Sequence, residues 1–171
     1  MPVTAIRSIL AGLLFSIIAA SPVLAQSVQV IGDYNDWSAY SASGGSGRMC
    51  FLMAKPTSVD PTPDGYTQAY LYLTHRPADN VRNEFNFVAG YTFAQDDTAT
   101  ATIGSQVFEL FTKDDAAWLK DPSQGNNVAG LMRAGSTIVV EGTTDKGIKV
   151  TATFSLSGVT AASRAIDGAC G

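Results

Sequence analysis

The chain has 171 residues, 46% of them hydrophobic, and a formal net charge of −4 at pH 7. This length suits one domain of ordinary size, which is large enough to bury a real core. The acidic balance argues against nucleic acid and anionic lipid as main partners, because both carry negative charge.

Residues 1–25 predict a cleaved, Sec-type signal peptide. One positive charge at Arg7 precedes an apolar run over residues 9–20, and Ala25 is a small residue suited to the cleavage position. A membrane anchor is the alternative interpretation, but a bilayer span takes about 20 apolar residues and this run is shorter. We therefore expect cleavage after Ala25, no transmembrane anchor in the mature chain, and a periplasmic or secreted location for a single domain over residues 26–171.

Across the first half of that domain, alternating apolar positions predict four strands, at residues 36–40, 48–54, 67–74 and 84–89. Residues 26–34 are predicted as a short lead-in, and the glycine- and serine-rich segment 41–47 as a flexible turn. Three prolines within residues 55–65 predict an extended surface loop, because proline removes backbone donors and fixes φ.

In the second half, Gly104 opens a two-residue segment between apolar runs and predicts a tight hairpin turn. Asp121 before Pro122 predicts the start of a helix, and Gly135 predicts its end. Residues 113–119 fit either a strand or a helical turn. The remaining predicted elements are strands at 98–103, 107–111, 137–142 and 149–156, and a short helix at 159–166.

These segments amount to about eight short strands with short connections, and two short helices. Short connections favour antiparallel pairing, and no alternation of strands with helices indicates a parallel sheet. The predicted fold class is all-β, an antiparallel β-sandwich with one or two short helices, and a barrel is the alternative. Trp37 and Trp118 are predicted to pack within this fold rather than to form a ligand platform.

Cys50 and Cys170 are the only cysteines, and export implies an oxidising compartment. We therefore predict a disulfide between Cys50 and Cys170 that ties the C-terminus to the body of the domain. Two free thiols, or a bridge between two molecules, are the alternatives. In the chain-entropy model, closing so long a loop contributes about 5 kcal/mol to stability.

The motifs of the chain predict no catalytic residues, no metal site and no cofactor. The chain has one histidine, which excludes a zinc-protease pair, and it has no Cys-x-x-Cys, Ser-x-x-Lys or phosphate-loop pattern. The acidic pairs Asp96-Asp97 and Asp114-Asp115 lack calcium-loop spacing, so solvated loop carboxylates are the better interpretation.

The lone histidine, His75, allows two interpretations. It is either a general base or a ligand acting with the nearby Asp79, or a surface histidine at the end of a strand. A base that activates a nucleophile needs a third, orienting group, and none lies near it in sequence. The surface position is therefore the favoured prediction.

The connection over residues 74–84 has the most distinctive composition, because His75, Arg76, Arg82 and Glu84 fall close together in it. Arginine makes bidentate contacts and is enriched in interface hot spots, so these four residues form a candidate recognition surface. The alternative is that the two arginines pair with the acidic side chains of the same segment and brace the loop.

Several short motifs follow one another in order along the mature chain. They are Trp37, Cys50, Arg76-Pro77, residues 81–84, Gly90-Tyr91, residues 108–112, Ala117-Trp118, residues 132–136, Gly142-Thr143, residues 154–158 and Ala169-Cys170. In this order they resemble the invasion-associated locus B family of exported alphaproteobacterial proteins. The resemblance implies a compact, immunoglobulin-like β-sandwich, no known catalytic residues, and a role named for the entry of some bacteria into host cells.

The leading functional hypothesis is an exported, non-enzymatic envelope or secreted protein that acts through contacts with a protein partner, with host-cell interaction as one setting. A structural protein that supports envelope integrity is the first alternative. A small hydrolase with an unrecognised site, in which His75 is the candidate base, is the second.

Overall fold

The computed structural model describes residues 27–44 and 47–171. The predicted signal peptide, residues 1–25, lies outside the described residues. The strands are β1 Ser27–Tyr34, β2 Trp37–Gly44, β3 Gly47–Ala54, β4 Ser58–Asp60, β5 Tyr70–Arg76, β6 Val81–Val88, β7 Thr98–Ile103, β8 Gln106–Lys113, β9 Ala116–Leu119, β10 Thr137–Thr143 and β11 Lys149–Ser155. The helices are α1 Gly125–Ala134 and α2 Val159–Cys170.

Within the described part of the chain, eleven strands form one antiparallel sheet in the order β1-β2-β3-β5-β6-β9-β8-β7-β10-β11-β4. Strands that are far apart in this order nevertheless pack together. The ring of Phe87 on β6 meets that of Phe154 on β11 edge-on, with centroids 6.0 Å apart. The indole N–H of Trp37 donates to the carbonyl oxygen of Ser155 at 2.9 Å. The all-β, sandwich-like fold is therefore confirmed, and the immunoglobulin-like version of it stays a prediction.

Two segments form strands that the sequence did not predict, and the structure resolves one ambiguous segment as a strand. The predicted lead-in forms β1, a full strand that pairs with β2. The first residues of β1 are exposed, so its sequence lacks the apolar alternation that predicts a half-buried strand. The proline-rich loop contains the three-residue strand β4, which pairs with β11 and is too short to show periodicity. The ambiguous segment 113–119 contains β9, which pairs with β6 and β8.

Helix α1 begins and ends as its sequence predicts. The Asp121 carboxylate accepts the backbone N–H of Ser123 at 3.0 Å, and Pro122 opens a 3₁₀ turn that leads into the helix. At the other end, the N–H of Gly135 donates to the carbonyl of Leu131 at 2.8 Å. One face of the helix, with Val128, Ala129 and Met132, is buried, as expected for an amphipathic helix at the surface.

Helix α2 runs to Cys170, four residues beyond its predicted end, and packs against β1, β2 and β3. Cys170 is bonded to Cys50 on β3, with Cα atoms 5.9 Å apart, which confirms the predicted intramolecular disulfide. No helix in the two described ranges is long and apolar enough to cross a membrane.

Candidate recognition site

The connection between β5 and β6 is compact and depends on two asparagines in left-handed conformation. Residues Pro77–Asp79 form a 3₁₀ turn that ends at Asn80, whose φ is 55°. Asn83, with φ 52°, accompanies a shift in the β5–β6 register between Thr74 and Arg76. Asparagine tolerates this region better than most residues, so the sequence favours the kinks that set the neighbouring side chains.

Arg76 braces this connection from within. Its guanidinium makes two hydrogen bonds to the Glu84 carboxylate, one of them between Nη2 and Oε1 at 3.1 Å, and its Nε lies 3.3 Å from Oδ2 of Asp79. The hydrogen bond to Glu84 raises the pKa of Arg76 above its ordinary value, so the guanidinium stays charged. For Arg76, the structure shows the bracing contacts that the sequence offered as an alternative.

His75 is buried, with 1% of its surface exposed, so its predicted surface position is wrong. It shares the inward face of β5 with Leu71 and Leu73, and it lies opposite Cys50 in the β3–β5 register. The alternation of buried positions thus continues to the end of the strand. Helix α2 covers His75, which the sequence predicted to be at the surface.

Both ring nitrogens of His75 have partners inside the fold. Nδ1 accepts the backbone N–H of Asn83 at 3.0 Å, and Nε2 lies 3.0 Å from Oδ1 of Asp167 on α2. Because an N–H faces Nδ1, the neutral ring carries its proton on Nε2 and donates it to Asp167. The acidic partner is Asp167, 92 positions along the chain, and not the Asp79 that sequence proximity indicated.

Arg82 also binds Asp167 rather than an acid of its own segment. Its Nη2 lies 2.9 Å from the same Oδ1 atom, and both side chains are about half exposed. Oδ1 of Asp167 therefore contacts both the buried His75 and the half-exposed Arg82. The four candidate residues thus divide into one buried position, His75, and three at the surface or partly exposed.

Arg82 and Glu84 line the edge of a surface groove of about 610 Å³. We call it the aromatic groove and define it by Val81, Arg82, Glu84, Phe111, Lys113 and Trp118. The groove lies where β6, β8 and β9 are neighbours in the sheet. Lys113 forms no ion pair with any residue in the described ranges.

Phe111 and Trp118 form the apolar wall of the aromatic groove. They are opposed in the β8–β9 register and stack with centroids 5.5 Å apart and an interplanar angle of 20°. Phe111 is 47% exposed, so its ring adds solvent-accessible apolar surface to this wall. Trp37 is buried and Trp118 is partly buried, so both pack within the fold as predicted, and Trp118 also lines the groove beside an exposed partner.

The aromatic groove continues into a row of side chains across the outer face of the sheet. Tyr72, Asn86, Trp118 and Phe111 occupy directly opposed positions on β5, β6, β9 and β8. Phe51 on β3 extends the row, with its ring centroid 6.0 Å from that of Tyr72. Burial raises the pKa of Tyr72, so its hydroxyl stays protonated and able to donate. The row offers aromatic surface with polar tips, a composition typical of protein-contact surfaces.

The contacts of His75 bear on its candidate role as a general base. A nucleophile–base pair needs a free ring nitrogen facing a nucleophile, and both nitrogens of His75 are already engaged. In the part of the chain that the structure describes, no group of three or more His, Cys, Asp or Glu side chains could hold a metal ion.

Comparison with known proteins settles the family. A family model described as invasion associated locus B (IalB) protein matches residues 37–167, well over half of the chain. The chain belongs to the invasion associated locus B family. The resemblance that the ordered motifs indicated is therefore confirmed.

A solved relative of this IalB-family chain shares its fold. The crystal structure of invasion associated protein b from Bartonella henselae matches with a TM-score of 0.58 and 16% sequence identity. The match covers 82% of this chain and 98% of that one. At this identity the match shows a common fold. No curated protein matches the chain.

Proposed function

We propose that this IalB-family protein is an exported, non-enzymatic protein that acts by contacting another protein through the aromatic groove. The observation that carries the proposal is the exposed ring of Phe111, stacked on Trp118 in a groove that the charged side chains of Arg82 and Lys113 also line. Exposed aromatic residues beside arginine are the composition of interface hot spots.

The sequence supports the location of this contact. The predicted signal peptide, with cleavage after Ala25, would deliver the chain to the periplasm or the medium. The similar Bartonella henselae protein is called invasion associated, and this supports host-cell interaction as one setting for the contact. The hydrolase alternative loses its candidate base, because His75 is buried and fully engaged.

Site-specific photo-cross-linking in living cells tests the proposal. A photoreactive amino acid is placed at Phe111, inside the aromatic groove, and in a separate strain at Val107. Val107 lies on the same strand and is 62% exposed, but it does not line the groove. We expect one dominant protein adduct from position 111 and none of that mass from position 107.

Two further results decide between the alternatives. Lys113→Ala should weaken the adduct while leaving thermal unfolding unchanged, because Lys113 is exposed and unpaired in the described structure. Equal labelling from positions 107 and 111 would contradict a specific groove contact. With no adduct at either position, a deletion strain sensitive to detergent would favour the structural envelope role.

A further inference from the structure

The first strand leaves one edge of the sheet open. Strand β1 pairs with β2 on one side, and no described strand pairs with its other side. Its first five residues, Ser27 to Ile31, carry no charge and no proline. Val28 and Val30 point to the same face and are 60% and 63% exposed. Such an edge presents unpaired backbone N–H and C=O groups beside apolar side chains.

The opposite edge of the same sheet is protected. Strand β4 is only three residues long, ends in the charged Asp60, and lies between Pro56 and Pro61. Short length, charge and proline are the devices by which natural sheets prevent edge-to-edge association. Strand β1 has eight residues and none of these devices before Asp33, although a register irregularity between Val30 and Gly32 confines a pairing surface to its first half. The sheet is therefore open to extension at one end only.

We infer that β1 pairs with β1 of a second copy of this chain, antiparallel and about a two-fold axis through Gln29. In this register Val28 lies opposite Val30 of the second copy, and Val30 opposite its Val28. Cross-strand pairs of β-branched side chains stabilise antiparallel sheets, and the uncharged stretch places no like charges opposite each other. This inference is independent of the aromatic groove.

A second copy fits the edge better than an open-ended assembly. In the described part of the chain one sheet edge is unprotected, so a pair of copies uses both such edges and association ends at a dimer. Pairing of about five residues from each chain is at the small end of specific interfaces, so the dimer should dissociate on dilution.

Sedimentation velocity over a dilution series tests this assembly. The chain over residues 26–171, which contains the whole described core, should shift from monomer to twice the monomer mass as its concentration rises. The double variant Val28→Lys/Val30→Lys should remain monomeric throughout, because it places like charges opposite each other. Val107→Lys is the matched control: it changes an equally exposed valine on an inner strand and should dimerise as the parent does. Circular dichroism and thermal unfolding verify that each variant is folded.

A cysteine at the proposed axis tests the register. Both native cysteines are consumed by their disulfide, so Gln29→Cys supplies the one free thiol. Under mild oxidation we expect a covalent dimer from Gln29→Cys and none from Ser105→Cys, in the exposed β7–β8 turn. A parent chain that is monomeric at every concentration would overturn the inference and leave the edge to another protein's strand. A dimer that the paired lysines do not weaken, or that cross-links equally through position 105, would overturn it as well.

Discussion

At the scale of single residues, His75 shows where sequence reasoning succeeds and where it stops. The alternation of β5 places it on the same face as Leu71 and Leu73, so its inward direction was present in the sequence. Its partner Asp167 lies on a helix, 92 positions along the chain, and no pattern in the sequence around His75 predicts that contact. A polar side chain at the end of an apolar strand predicts a surface residue, whereas His75 is buried with both ring nitrogens hydrogen-bonded.

The two residues that share Asp167 should differ sharply in their effect on stability. His75→Ala removes a fully buried ring and leaves the Asn83 N–H without its acceptor, so the free energy of unfolding should fall by about 3 kcal/mol. Arg82→Ala removes a half-exposed ion pair and should cost less than about 1 kcal/mol. Urea denaturation of both variants measures the difference, and the reverse order would refute the assignment of His75 as a structural residue.

At the scale of elements, the docking of α2 depends on a glycine at the residue that precedes it. The helix begins after Gly158, which has φ 95° and whose α-carbon faces the backbone carbonyl of Tyr34 at the end of β1. A side chain there would meet both a disfavoured conformation and a backbone atom that cannot move aside. The helix can therefore dock on β1, β2 and β3 only if this position stays glycine.

A pair of glycine substitutions tests this requirement. Gly158→Ala should lower the free energy of unfolding by more than about 2 kcal/mol, because strain and overlap add. Gly168→Ala, inside the same helix with open space around its α-carbon, should be neutral or stabilise the protein by up to about 1 kcal/mol. Thermal unfolding of the two variants provides the comparison. Equal effects would show that the close approach to Tyr34 is not limiting.

The disulfide fastens the end of the same helix. Replacing Cys50 and Cys170 together by alanine opens a loop with a sequence separation of 120 residues. The chain-entropy model sets the loss at up to about 5 kcal/mol, most of it through the unfolded state. Denaturant unfolding of the double variant, and of the parent with and without reductant, measures this loss. A change below about 1 kcal/mol would mean that packing alone holds α2 in place.

At the scale of the whole molecule, the sequence predicts the class of the fold better than its arrangement. Alternating segments and short connections were enough for an all-β assignment, and the ordered motifs were enough for the family. The aromatic groove was not predictable, because Phe111 and Trp118 meet Arg82 and Glu84 only through the register of β6, β8 and β9. That register depends on pairing across distant parts of the chain, which no local pattern records.

The position of α2 also bears on how the protein is made. The helix is the last of the described elements, yet it covers β1, β2 and β3, which are the first of them. A chain that emerges N-terminus first therefore presents an incomplete apolar surface until its final turn, with Cys170, is released. Packing of the first three strands and closing of the native Cys50–Cys170 bridge therefore both come late in synthesis, after nearly all of the described chain has been made.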